Sequence, residues 1–334
     1  MPTRRSALQA LAALSAAPAL ARLAPALAQA AADADFPARP VTIVVPFAAG
    51  QSADILARML ADSLAKLWGK PVLVDNKGGA GGAVGSLAVV RSPADGYTLL
   101  MGSSGPISVA PQVSKTAGYD PRKDMTPIIN VAGVPQMMIV AGNSKYKTVQ
   151  DVIDDARKSP GKLSYGTGGT GSLAHLTMEL VKQRAGIDIV HIPYKGAAPA
   201  YTDLLAGRLQ VMFDTPPAAM GFVKSGQMRF LAASTPKRSP FLPEIPTVSE
   251  AGVPGFDVQG WLGVLAPGGL NPALQRRLNQ DFRKVMDEPA VRQRLDALGM
   301  ASLAGSADEF RKFIDADYDK FGAVIKANNI SSDS

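Results

Sequence analysis

The feature that most constrains the fold is a strand-to-helix junction that occurs twice, each time with glycine in the connecting loop. In the first, the apolar strand Val41–Val45 leads through a loop into an amphipathic helix that ends near Trp68. In the second, the loop 166–172 separates a short strand from a helix predicted over 173–185. Strands that alternate with helices predict a parallel sheet covered by helices. Because the alternation restarts near Met137, we expect two α/β lobes.

Each junction is suited to hold an anion. Glycine lets the loop turn sharply and direct its N–H groups outward, and the following helix adds unpaired N–H groups and the positive end of its dipole. In the first loop, the N–H groups of residues 48–52 are candidate donors to a carboxylate, while Ser52 is expected to cap the helix and Asp54 to suit its dipole. A cleft between two α/β lobes is a common ligand site, so we expect a small anionic ligand there.

Polar side chains at the carboxyl ends of other predicted strands are expected on the same edge of the cleft. These candidates are Ser103, Ser104, Tyr194, Lys195 and Asp214. Asp214 would orient an N–H group, a hydroxyl or a bridging water, and it is a poor direct partner for a carboxylate. Tyr194 either forms a wall of the cleft or packs against its neighbours.

The chain has few residues suited to catalysis or to metal binding. It has no cysteine, which excludes disulfides, zinc thiolate sites and cysteine nucleophiles, and it has only two histidines. His175 follows the second loop and either touches a ligand or caps and packs the helix, whereas His191 is expected to be a satisfied residue of a strand. No G-x-S-x-G or Walker motif occurs. We therefore expect no enzyme activity, no cofactor and no metal.

One alternative concerns a dinucleotide. Gly166, Gly168 and Gly171 match the spacing of the dinucleotide fingerprint, which would make the protein an exported oxidoreductase with its cofactor at 166–171. That fold requires an acidic residue at the end of the next strand, but Asp188 begins the predicted strand instead. Ser172 also crowds the position of a pyrophosphate.

Residues 1–28 are predicted to be an export signal. Arg4 and Arg5 give a basic start, an Ala/Leu-rich run follows, and an A-x-A pattern ends at Ala28. The apolar run is too short to span a bilayer. Both the twin-arginine route and ordinary secretion are compatible with this segment. Cleavage near Ala28 would leave the mature chain in the periplasm.

The charge of the chain argues against nucleic acid as a partner. The full chain carries a net charge of +7, and loss of the three arginines in residues 1–28 lowers it to about +4. Nucleic-acid binding needs a concentrated basic face, and this excess is mild.

Short motifs through most of the mature chain resemble one family in the same order. They are PVTIVVPFAAG (40–50), VDNKGGAGG (74–82), DGYTLL (95–100), YDP (119–121), PGK (160–162), YKG (194–196) and LPEIPT (242–247). These segments are similar to those of the Bug receptors, the periplasmic solute-binding proteins of tripartite tricarboxylate transporters. The resemblance implies partners that the residues alone do not indicate, namely integral-membrane permease subunits. A third hypothesis, besides the transport receptor and the exported oxidoreductase, is a free-standing sensor subunit.

The resemblance implies a two-lobed type II periplasmic-binding-protein fold, known as a Venus flytrap. Lobe one is predicted over 33–137 and 254–334, and lobe two over 138–253. The lobes are expected to rotate about crossing strands near Met137 and Trp261. The receptor is expected to act as a monomer. The ligand would be a small organic carboxylate held by both loops, often through ordered water. The residues carried over by position are Phe47, Ala48, Gly50, Gln51, Ser52, Thr167, Gly168, Thr170, Gly171 and Ser172. Gln51 departs from the family, which usually has a second glycine after Gly50.

Overall fold

The computed structural model describes residues 36–114, 117–327 and 330. The predicted export signal over 1–28 lies outside these residues. Within the described part of the chain, no helix combines the length and the apolar character needed to cross a membrane.

Strands and helices alternate along the described chain. The strands are β1 (Val41–Val45), β2 (Val72–Asn76), β3 (Thr98–Ser103), β4 (Met125–Pro135), β5 (Met137–Ala141), β6 (Ser164–Thr167), β7 (Val190–Pro193), β8 (Val211–Asp214), β9 (Met228–Ala233), β10 (Gln259–Pro267) and β11 (Ala301–Ser302). The longer helices are α1 (Ser52–Trp68), α2 (Ala83–Val90), α3 (Val149–Lys158), α4 (Leu173–Ala185), α5 (Ala197–Leu205), α6 (Pro216–Lys224), α7 (Pro272–Met286), α8 (Pro289–Ala297) and α9 (Ala307–Ala327). Shorter helical turns lie at Ala80–Gly82, Gly105–Val109, Ala110–Val113 and Pro121–Asp124.

The strands form one sheet in each lobe. The order is β11-β4-β10-β3-β1-β2 in lobe one and β7-β6-β8-β5-β9 in lobe two. In lobe one, β1 pairs in parallel with β2 and β3, as the alternation predicts. However, β10, which is not part of that alternation, inserts antiparallel between β3 and β4, so the sheet as a whole is mixed. The reason is that the chain leaves lobe one at the end of β4 and returns from lobe two at the same edge of the sheet, so β10 runs in the opposite direction.

Most predicted elements are present, with bounds that differ by a few residues. The strand predicted to begin near Asp188 begins only at Val190, and α1 begins at Ser52, the residue predicted to cap it. Sequence analysis misses β4 and α6, because prolines in or near them resemble breaks. Pro127 is tolerated in β4 because it lies beside a register irregularity in the pairing with β10, where a missing N–H group matters less.

The carboxyl-terminal helix α9 packs against both lobes. Phe310 and Ile314, in its first half, are buried with Trp261 of β10 in lobe one. Phe321 and Ile325, in its second half, join the core of lobe two. The predicted lobe-one range 254–334 therefore makes contacts in both cores.

Two segments cross between the lobes, and one buried serine binds both of them. The Ser234 N–H donates to the Gln136 carbonyl over 2.8 Å, and the Gln136 N–H donates to the Ser234 hydroxyl over 3.1 Å. On the second crossing segment, the Val258 N–H donates to the Ser234 carbonyl over 2.9 Å, and the Ser234 hydroxyl donates to the Val258 carbonyl. The two crossings are thus held side by side, as a hinge requires.

Replacement of Asp317 should destabilise the protein strongly. Its carboxylate, only 8% exposed, accepts the indole N–H of Trp261 over 2.7 Å and the hydroxyl of Ser108 over 2.5 Å. Asp317→Ala would leave both buried donors unpaired, so we expect the free energy of unfolding to fall by about 3 kcal/mol. Urea unfolding measures it. Asp319→Ala, at an exposed position of the same helix, should change it by less than about 0.5 kcal/mol. Equal losses would contradict this role for Asp317.

Candidate functional site

A cavity of about 110 Å³ lies between the two lobes. A single water needs roughly 10–15 Å³ of such space, so the cavity has room for several waters or for a small organic molecule. Of the residues predicted for the site, those that line it are Phe47, Gln51, Ser52, Ser103, Gly168, Ser172 and Asp214. Ser104 and Trp261, which sequence analysis placed at the cleft and at the crossing, line it as well.

Several lining residues were not predicted. They are Ala53, Gly105, Val134, Gln136, Leu173, Ala174, Ala197, Phe213, Thr215, Gly260 and Leu262. Most are apolar and follow a predicted loop or strand, so nothing in their local sequence distinguishes them from core residues. Gln136 is different, because it is a single polar residue in the apolar run 131–141. That isolation is a signal that sequence analysis overlooked.

The first loop is organised by Asp54 rather than by Ser52. The Asp54 carboxylate accepts the Gly50 N–H over 2.8 Å and the Asn76 amide over 3.0 Å, and it also pairs with Arg58. Burial opposes ionisation of Asp54, but the hydrogen bonds from Arg58, Gly50 and Asn76 outweigh it and lower the pKa of the carboxyl. The predicted cap at Ser52 is wrong, because Asp54 reaches back over the first turn and Gln51 occupies the N-cap position. The Gly50 N–H is thereby used inside the loop.

The hydroxyl of Ser52 instead joins the two lobes. Ser52 is the first residue of α1 in lobe one, and its hydroxyl forms a hydrogen bond with the hydroxyl of Thr215 in lobe two. Thr215 is the N-cap residue of α6. Two helix starts, one from each lobe, therefore meet at the wall of the cavity.

The second loop is held from inside the lobe by histidines. The Ser172 hydroxyl caps α4 by accepting the His175 N–H over 3.3 Å, and the Gly171 N–H donates to His175 Nδ1 over 3.3 Å. The Thr167 hydroxyl pairs with His191 Nε2 over 2.8 Å. Thr167, Gly171 and His175 thus shape the loop and do not line the cavity.

The two histidines stack with a tyrosine behind this loop. The rings of His175 and His191 lie 4.1 Å apart, and those of His191 and Tyr165 lie 4.8 Å apart. Burial lowers the pKa of His175, although the charge of Glu179 partly opposes this. Burial, together with His175 and Lys182, lowers the pKa of His191 to about 3. Both rings are therefore neutral near pH 7.

Three more predicted residues lie outside the cavity. Ala48 and Thr170 lie at contacts between the lobes, and Tyr194 packs within lobe two. A Cβ built on Gly196 of lobe two would lie 3.5 Å from the Cβ of Ala48. A Cβ built on Gly81 of lobe one would lie only 2.7 Å from the carbonyl oxygen of Thr170 in lobe two. Tyr194 donates its hydroxyl to Asp203 over 2.6 Å and so packs within lobe two.

Asp214 is the acidic residue of the cavity wall, and its hydrogen bonds are with the protein. The carboxylate accepts the Tyr201 hydroxyl over 2.7 Å and the Thr215 N–H over 2.7 Å. Burial raises the pKa of Asp214, and these hydrogen bonds oppose the rise. Among the described residues that line the cavity, none is lysine or arginine. An anion held there would depend on neutral donors and helix dipoles. Within the described ranges, no group of three or more metal-ligating side chains forms a metal site.

Comparison with known proteins agrees with this architecture. Residues 56–330 match the family described as the tripartite tricarboxylate transporter family receptor. The chain belongs to this family of solute receptors. The resemblance to the Bug receptors seen in the sequence is thereby confirmed.

Solved structures of relatives superpose closely on this receptor. R. palustris Rpa4515 with adipate has a TM-score of 0.85 and 36% identity, covering 89% of this chain and 99% of that chain. The periplasmic binding protein BugD has a TM-score of 0.84 and 33% identity, covering 89% and 99%. MatC (Rpa3494) from Rhodopseudomonas palustris with bound malate has a TM-score of 0.82 and 28% identity, covering 87% and 100%.

These likenesses confirm the predicted two-lobed type II fold. The family consists of periplasmic solute-binding proteins and not of enzymes, and nothing in it supports a dinucleotide at 166–171.

Acid should destabilise this receptor through the histidine stack. The unfolded chain binds a proton at each histidine below about pH 6.5, whereas folded His191 does so only near pH 3. The contribution of neutral His191 is therefore fully present above pH 6.5 and is lost as the pH falls toward 3. The free energy of unfolding should decrease by up to about 1.4 kcal/mol per pH unit for each such histidine.

Urea unfolding between pH 7 and pH 5 measures this dependence. His191→Gln retains a polar partner for Thr167 but does not titrate, so it should flatten the dependence. A variant with the slope of the wild type would show that His191 does not carry the effect.

Proposed function

We propose that this receptor captures a small organic carboxylate in the interlobe cavity and delivers it to integral-membrane permease subunits of a tripartite transporter. One observation carries the proposal: the amino ends of four helices converge on a cavity whose described lining contains no cation. These are the starts of α1 at Ser52, α4 at Leu173, α5 at Ala197 and α6 at Thr215. The starts of α1, α4 and α5 offer unpaired N–H groups and the positive end of a helix dipole, which favour an anion. The start of α6 contributes its dipole alone in the first two positions, because Pro216 and Pro217 have no N–H group.

The relatives support the same ligand class. Rpa4515 holds adipate and MatC holds malate, and both are dicarboxylates. We assign ligand contact to Gln51, Ser103, Gly168 and Ser172, which line the cavity from both lobes. Residues that shape the loops from inside, such as His175 and Thr167, position the donors. The neighbouring carboxylate of Asp214 orients N–H groups or water and does not bind the ligand's charge.

Delivery follows from closure of the lobes. The mature receptor, cleaved near Ala28, acts in the periplasm as a monomer. When the ligand binds, the lobes rotate about the crossing segments tied to Ser234, and the closed surface docks on the permease.

A thermal-shift screen of organic acids, with NAD and FAD included, tests the ligand class. A bound carboxylate at a hundredfold excess over its Kd should stabilise the fold by about 2.7 kcal/mol. Stabilisation by a dinucleotide alone would overturn the proposal.

A negative charge at position 168 should prevent binding. A Cβ at Gly168 would lie an ordinary 3.5 Å from the Gly196 carbonyl carbon, its nearest neighbour outside the adjacent residues, so substitution is tolerated sterically. Gly168→Asp places a carboxylate at the cavity, where repulsion of about 3 kcal/mol would weaken adipate binding roughly 100-fold. Gly168→Asn has the same size without the charge and should retain more affinity. Isothermal titration measures both, and equal affinities in the folded variants would contradict the assignment.

Closure should depend on the absence of a side chain at position 81. Gly81→Ala would bring a Cβ within 2.7 Å of the Thr170 carbonyl oxygen across the lobes. Gly69→Ala is the matched control, because both glycines have a φ of +62° but nothing lies within 4 Å of a Cβ at 69. Both variants should lose about 1 kcal/mol of stability to the left-handed backbone.

Only Gly81→Ala should keep the lobes apart. We expect adipate affinity to fall by about 10-fold in this variant, with a larger radius of gyration by X-ray scattering in the presence of ligand. If Gly69→Ala has the same effect on affinity, the cause is backbone strain and not the contact between the lobes.

A further inference from the structure

Ser104 provides a buried hydroxyl that the protein leaves without a partner. The residue is 0% exposed and lines the cavity, and within the described part of the chain its hydroxyl has no hydrogen bond. Leaving a buried hydroxyl unpaired costs free energy, so such groups are rare in folded proteins. A partner at this position would have to come from the contents of the cavity.

Gln136 provides a second polar side chain at the cavity. It is 6% exposed and lines the cavity from the first crossing segment. Its backbone N–H and carbonyl are both bound to Ser234, and its side-chain amide makes no hydrogen bond with the described residues. The amide therefore offers two N–H donors and a carbonyl acceptor.

The order of the strands places these two residues further inside the cleft than the loops. In lobe one, the first loop follows β1, Ser104 follows the neighbouring strand β3, and Gln136 follows β4, which lies two strands further on. In lobe two, the second loop follows β6, and Gln136 precedes β5, two strands away. Because paired strands lie about 4.8 Å apart, Gln136 is displaced by roughly 10 Å across that sheet from the second loop. The cavity thus extends from the loops to the hinge.

The wall between these ends is largely apolar. Leu173, Phe213 and Leu262 contribute to it. Such a wall suits the methylene groups of a short chain, while the polar residues at either end suit oxygen atoms.

We propose that Ser104 and Gln136 determine specificity by binding a second oxygen-bearing group of the ligand, a carboxylate or a hydroxyl, at the hinge side of the cavity. This inference rests on the proposed function, since it takes the first carboxylate to lie at the loops. A monocarboxylate of the same length would bring a methyl group to this region and leave both polar side chains unpaired. Sites that bind a ligand hydroxyl in this way reject the analogue that lacks it.

Three acids of equal chain length test the inference by isothermal titration: adipate, 6-hydroxyhexanoate and hexanoate. The wild type should bind the first two at least about 10-fold more tightly than hexanoate. Ser104→Ala and the nearly isosteric Gln136→Met should each weaken adipate binding by about 10-fold and leave hexanoate unchanged. Ser86→Ala, at an equally buried serine of α2 that does not line the cavity, is the control and should change neither affinity.

The outcomes separate this inference from the function on which it rests. If both variants retain the wild-type ratio of adipate to hexanoate affinity, or lose both affinities equally, Ser104 and Gln136 do not bind the second oxygen-bearing group of the ligand. If the wild type binds no organic acid in the thermal-shift screen, the proposed function is wrong and the inference is wrong with it. Thermal unfolding of each unliganded variant shows whether the fold is retained.

Discussion

The hydrogen bonds of Ser234 with both crossing segments are the constraint on which the rest of the structure depends. The lobes have separate sheets and largely separate cores, so their relative position is set where the chain passes between them. Ser234 is fully buried and binds the backbone of Gln136 on one crossing and of Val258 on the other. Because these bonds run between backbone groups and one short side chain, they fix the two segments together while leaving the loops at the far end of the cleft able to approach each other.

The described wall of this cleft offers an anion no charged side chain of opposite sign. The cavity wall described above contains an aspartate but neither lysine nor arginine. Instead, α1 and α4 direct their amino ends at the cavity, one from each lobe. N–H donors of this kind are fixed by the backbone, so little side-chain entropy is lost when a ligand binds. Such donors favour a negative charge whatever the carbon skeleton, so in the proposed function discrimination between acids falls to the side chains deeper in the cleft.

Much of the architecture could be predicted from local patterns. The two strand–loop–helix junctions, the order of most elements and the position of the cleft follow from hydrophobic periodicity and from glycine. The structural role of each polar residue could not be predicted, because it depends on contacts between segments that are distant in the sequence. Ser52 has the sequence context of a cap, but its hydroxyl forms a hydrogen bond with Thr215 of the other lobe. The carboxylate of Asp54 instead accepts the Gly50 N–H at the start of α1. His175 follows a loop that is predicted to bind an anion, yet its ring stacks on His191 behind that loop. Gln136 has no motif around it. It lines the cavity because it lies between β4 and β5, where the chain passes from one lobe to the other.

The packing of α9 on both cores has a mechanical consequence. A rigid rod attached to two bodies that rotate relative to each other cannot keep both attachments unchanged, so one of them must slide or the rod must bend. Phe310 and Ile314 fix one end of this helix, while Phe321 and Ile325 lie against the other body. A rotation of the lobes would therefore have to shear the apolar side chains at one end of this helix across the core against which they pack.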